Sequence, residues 1–89
     1  MVHFVYVISW LSIINGEPTH GTYRKCFEDK EKARKYLSEC ANDEYNDMIK
    51  MYSGGVVRIN ALDEVSIRYG YNNTKLIRIE QCELFNNKN

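Results

Sequence analysis

The stretch Val2-His-Phe-Val-Tyr-Val-Ile-Ser-Trp-Leu-Ser-Ile-Ile14 decides the fold. It is rich in β-branched and aromatic residues, which suit a pleated surface. It is apolar almost without a break, so both of its faces must be accounted for. Phe4, Tyr6, Ile8 and Trp10 share one face, and Val5, Val7, Ser9 and Leu11 share the other. A strand of this kind sits inside a sheet with cover on each face, or in a dimer interface. Its length would also suit the core of a signal peptide. No Lys or Arg precedes it, however, and no small-x-small cleavage site follows, so a buried strand is the better reading.

Outward from this strand, Asn15-Gly-Glu-Pro-Thr-His-Gly21 holds two Gly, one Asn and the single Pro, and predicts a loop. Thr22–Phe27 then reads as a second strand, forming a hairpin with the first. Asp29 is a candidate N-cap, with Glu28 and Glu31 a competing register. Apolar residues recur at Ala33, Tyr36, Leu37, Cys40, Ala41, Tyr45, Met48 and Tyr52, the spacing of one buried helical face. Asn42-Asp43 is a place where this helix would kink or split. Gly54-Gly55 is its expected stop.

The remainder reads as strands. Val56–Ile59 is a short one reaching toward Leu62, and Asp63-Glu64 is a tight turn. Val65, Ile67, Tyr69 and Tyr71 alternate with polar residues and Gly70, the period of a half-buried strand. Asn72-Asn73 marks a turn, because Asn tolerates positive φ. Lys75–Leu84 is the last strand, and Asn86–Asn89 a polar tail. The expected order is β-β-α-β-β-β in a single α+β domain over residues 1–89: an antiparallel sheet of four to five strands with one long helix packed on one face. One helix cannot cover both faces of such a sheet, so a homodimer or another partner follows as an expectation.

The 89 residues suffice for one domain. Twelve Lys+Arg balance twelve Asp+Glu. Zero net charge argues against a nucleic-acid coat or a polybasic membrane binder, since both need surplus cations. No apolar run reaches the roughly 20 residues of a membrane helix. The cysteines Cys26, Cys40 and Cys82 form no C-x-x-C and have no His nearby in sequence, which argues against zinc. An odd number of thiols fits reduced cysteines in a cytoplasmic protein.

The layout resembles small single-domain proteins of unknown function from bacteriophages, prophages and mobile elements. The matching features are Val5-Tyr6-Val7-Ile8, then Phe27-x-Asp29-x-x-x-Ala33-x-x-Tyr36-Leu37 leading into the helix, and finally Ile77-x-Ile79-Glu80-x-x-Glu83-Leu84. These motifs span most of the chain and encode a hairpin, a cap and a last strand. The resemblance implies a cytoplasmic, non-catalytic protein, and a function such as inhibiting a host defence system by binding it. It carries over no functional residues.

Among residues able to do chemistry, Cys26 and His20 are the nearest thiol and imidazole in sequence, with no orienting motif beside them. The helix charges are more informative. Lys30, Lys32, Arg34 and Lys35 occupy its first half; Glu39, Asp43, Glu44 and Asp47 occupy its second. The helix dipole prefers the reverse order. Solvation and a Glu31–Lys35 pair are one account of this. The other is a bipolar docking surface, with the acidic half receiving a basic partner. On that account the chain is a protein-binding module without cofactor or metal, using Glu39, Asp43, Glu44, Asp47 and the strand residues Tyr69 and Tyr71. The alternative is a nucleic-acid or nucleotide binder, with Tyr23 stacking bases beside Arg24, Lys25 and Arg68.

Overall fold

The computed structural model describes residues 2–53 and 55–85. It is an α+β fold with the element order β1 (Val2–Ile14), β2 (Glu17–Phe27), α1 (Lys30–Met51), β3 (Val57–Asn60), β4 (Glu64–Tyr69) and β5 (Asn73–Phe85). The five strands form one antiparallel sheet in the order β2-β1-β5-β4-β3. β1 is interior, as its composition requires, and pairs along its length with β5. The molecule measures 55 × 26 × 19 Å, the thickness of one sheet and one helix.

The loop expected over Asn15–Gly21 shrinks to two residues. Asn15 and Gly16 take φ of 53° and 82°, and β2 starts at Glu17. Two successive positive φ values match the right-handed twist of a hairpin, which is why Asn-Gly favours this turn. Pro18 is tolerated because β2 is an edge strand, where a missing N–H breaks no ladder. Further along β2 the register slips: Val7 faces Cys26 but Ser9 faces Thr22, so three residues of β2 span one of β1. This bulge bends the edge strand, a device that discourages pairing with another chain.

Asp29 wins the cap. Its Oδ1 accepts from the Glu31 N–H at 2.9 Å, and its carbonyl accepts from Ala33 N–H at 3.1 Å. The helix runs unbroken through Asn42-Asp43 to Met51, with Tyr52 as its C-cap. Of the expected glycine stop, Gly55 follows with φ 75°, whereas Gly54 lies outside the described residues, as does the Asn86–Asn89 tail. β4 stops at Tyr69, and Tyr71 sits in the turn that Gly70 and Asn72 make with positive φ. β5 consequently starts at Asn73, earlier than the expected Lys75.

One face of the sheet meets the helix. There Ile8, Ile67 and Ile77 are fully buried, with Val65 and Tyr69 nearly so, against Ala33, Leu37, Ala41 and Met48 of α1. Trp10 lies across Gly21, its direct partner on β2. A Cβ at position 21 would come within 2.8 Å of the indole, so glycine is what lets the ring lie flat there.

Candidate functional site

The inverted helix charges are resolved by the sheet. Lys30 and Arg34 both reach Asp63 in the β3–β4 connection: Lys30 Nζ lies 3.1 Å from Oδ2, and Arg34 Nε donates to Oδ1 at 2.8 Å. Arg34 also pairs with Glu31. The Arg34 guanidinium, with Lys30 second, holds the Asp63 carboxyl below its usual range, and Asp63 raises Arg34 in return. Asp63 is itself fixed by its backbone, since its carbonyl accepts from Ile79 N–H at 2.9 Å. In the acidic half, Glu44 accepts from Lys75 Nζ of β5 at 2.8 Å, and that ammonium lies 4.9 Å from the centre of the Trp10 ring. The charges facing the sheet are therefore joined to it.

Three acidic residues of the set have no such use. Glu39, Asp43 and Asp47 are exposed and have no ion-pair partner among the described residues. Their spacing of four residues places them in one stripe along the outer side of α1. Lys32 and Lys35 extend that stripe toward the N-terminus with the opposite sign. Tyr71, 86% exposed, stands at the end of the molecule where α1 finishes, because Tyr52 packs beside Gly70. Tyr69 does not join the surface. It is 3% exposed and its ring packs on Tyr52 at 5.0 Å, since position 69 falls on the helix-facing side of β4. Burial and the Lys75 pair likewise take Glu44 out of the stripe.

The residues considered for nucleic acid do not converge. Tyr23 lies beneath the helix with its ring edge-on to Tyr36 at 6.2 Å. Burial, with the nearby Glu44 carboxylate second, pushes its hydroxyl well above the ordinary range. Lys25 sits over the outer side of the same Tyr36 ring, 5.0 Å from its centre. Arg24 is on the β2 edge, and Arg68 is on β4, three strand positions or about 14 Å across the sheet and a further five residues along it. Cys26 and His20 are also apart, six residues along one strand and so about 15–20 Å. Cys40 is buried, which pushes its thiol up and disfavours the thiolate. The described residues contain no group of three or more His, Cys, Asp or Glu placed to hold a metal. No helix is long and apolar enough to cross a membrane.

No family model, curated protein or solved structure matches the chain.

The other feature of note is the far side of the sheet. Leu11, Leu76, His20, Thr22, Arg78 and Glu80 border a shallow groove of about 440 Å³ there. The sequence signalled part of it, in the apolar odd-numbered residues of β1. The β5 residues that lie beside them could be assigned only once the register Leu11–Leu76 and Ser9–Arg78 was known.

Proposed function

We propose that this chain is a small, cytoplasmic, non-catalytic protein-binding module of the phage or mobile-element type. It docks on a basic surface of a host defence or nucleic-acid-processing enzyme and inhibits it. The supporting observation is the division of charge on α1. Lys30, Arg34 and Glu44 are used inside the chain, while Glu39, Asp43 and Asp47 form an outer stripe without partners. Charges held on a rigid helix keep a fixed spacing, which steers encounter and sets register with a complementary surface. Tyr71 at the end of the stripe adds an exposed aromatic ring of the kind that anchors interfaces.

The test is capture from host lysate with nuclease treatment of the captured material, followed by titration of the purified captured enzyme. The variant Glu39→Lys with Asp43→Lys and Asp47→Lys should weaken binding at least tenfold and abolish inhibition. Glu44 is left intact because its loss would disturb Lys75. Undiminished binding by the reversed variant would reject the stripe. Recovery of nucleic acid released by salt would favour the basic residues instead.

A further inference from the structure

Nothing in the described chain covers the second face of the sheet, and its pattern runs in bands along the strands. At one end Leu11 lies beside Leu76, whose neighbours across the sheet are Ser66 and then Ile59. At the other end Val5 lies beside Cys82 and Val7 beside Glu80. Between them Ser9 of β1 and Glu64 of β4 flank Arg78, and Arg78 Nη2 pairs with Glu80 Oε1 at 3.0 Å. The face thus reads apolar, charged, apolar.

We propose that a second copy of this chain covers this face. The two β5 strands cross antiparallel about a two-fold axis that lies in the interface, runs across the strands and passes between Arg78 and Glu80. An isologous interface must complement itself, and this axis achieves that. It lays the Leu11–Leu76 end of one copy on the Val5–Cys82 end of the other, and it sets Arg78 against Glu80 twice. A two-fold along the strands would instead stack Arg78 on Arg78 and Glu80 on Glu80. The charged belt therefore selects the antiparallel arrangement. Each Arg78 then has a carboxylate on its own strand and another opposite, the pairing that desolvated charges require.

Strand length permits the same conclusion. The axis crosses β1 at Ile8 and β5 at Ile79, the midpoints of these two 13-residue strands, so both overlap their counterparts along their whole length. Twelve cations against twelve anions leave no net repulsion between copies. Sheets packed face to face with nearly aligned strands lie about 10 Å apart. The product is four layers, helix-sheet-sheet-helix, with the Glu39–Asp47 stripes on the two outer surfaces and both still open.

Sedimentation or light scattering of the pure chain should give twice its 10.5 kDa mass. R78E leaves the belt with carboxylates alone, at positions 64, 78 and 80 of each copy, and should return the mass to that of one chain, with an unchanged far-ultraviolet spectrum. Adding E80R to R78E should restore the dimer. Leu11→Arg should also give single chains. A wild-type protein that stays at 10.5 kDa up to millimolar concentration would overturn the proposal. So would a dimer that survives both R78E and Leu11→Arg, because it would use another surface. These masses are read without any partner enzyme, so they stand or fall apart from the acidic stripe.

Discussion

Leu76 and Ile77 are neighbours in sequence and opposites in the fold. Ile77 is fully buried beneath α1 while Leu76 faces the uncovered side, and the same contrast separates Ile8 from Val7 along β1. Composition follows the difference, since the open face mixes Val7, Leu11 and Leu76 with Glu64, Arg68, Arg78 and Glu80. The helix sets it, because one helix of 22 residues supplies cover to one face alone. Apolar surface on the covered face is removed from water within a single chain. On the other face it is half-shielded by strand neighbours alone.

The largest expected effect tests that asymmetry. Ile67→Ala, at a fully buried position, should cost about 2–5 kcal/mol through lost transfer energy and the cavity left behind. Leu11→Ala, on the open face, should cost about 1 kcal/mol or less in dilute solution, where only part of the side chain leaves water on folding. Urea unfolding of both variants measures the gap. Equal losses would mean the faces are energetically equivalent. If two copies meet on the open face, the Leu11→Ala cost should grow with protein concentration while the Ile67→Ala cost stays constant, because association stabilises by mass action.

A smaller effect lies where the covered face is pinned at its edge. Asp63 joins the β3–β4 connection to Lys30 and Arg34, which hold its carboxyl below the ordinary range. Its stabilising contribution is therefore complete at neutral pH. It is lost as pH falls below the ordinary carboxylate value of about 4 toward the depressed one. Asp63→Asn should melt below the wild type at pH 7, and the two melting temperatures should converge in acid. A gap that persists unchanged to pH 2 would show that the carboxylate charge is not what pins the connection.

Legibility in the sequence followed the range of the interaction. β1 was readable to its last residue, and Asp29 was the right cap, because strand composition and N-caps act over a few neighbours. The β2 boundary is hidden because Gly, Pro and Asn cluster over Asn15–Gly21 without all belonging to the turn. The adjacent pair Asn15-Gly16 alone makes the turn, and Pro18 is harmless only on an edge, a fact of strand order. Tyr71 continued an alternation that Gly70 and Asn72 break. Asn42-Asp43 suggested a kink, but burial of Cys40, Ala41 and Met48 on either side carries the helix across. The candidate site was legible as a charge pattern and illegible as a division of labour. Arg34–Asp63 and Glu44–Lys75 join residues far apart in the chain, and only those contacts separate the used charges from Glu39, Asp43 and Asp47.

The smallest effect has the opposite sign and sits at the border of the two regions, where the bulged part of β2 tucks under the helix. Tyr23 has a buried hydroxyl that lies near the Glu44 carboxylate but makes no hydrogen bond of ordinary length, and its ring packs against Tyr36. A buried polar group left unpaired costs about 1–3 kcal/mol, whereas removing it while keeping the shape is close to neutral or favourable. Tyr23→Phe keeps the ring and removes the oxygen. Stability at pH 7 should thus hold or rise by up to about 1 kcal/mol, although most core substitutions lower it. The pH dependence gives a second reading of the same group. The hydroxyl ionises less readily in the folded chain than in the unfolded one, so stability is independent of this group below about pH 10 and falls above it, where the unfolded chain loses the proton first. The variant lacks this group, so its advantage over the wild type should widen above about pH 10. A clear loss of stability at neutral pH would mean that the hydroxyl is paired in solution, and the β2–α1 border would then belong to the well-satisfied face rather than mark its limit.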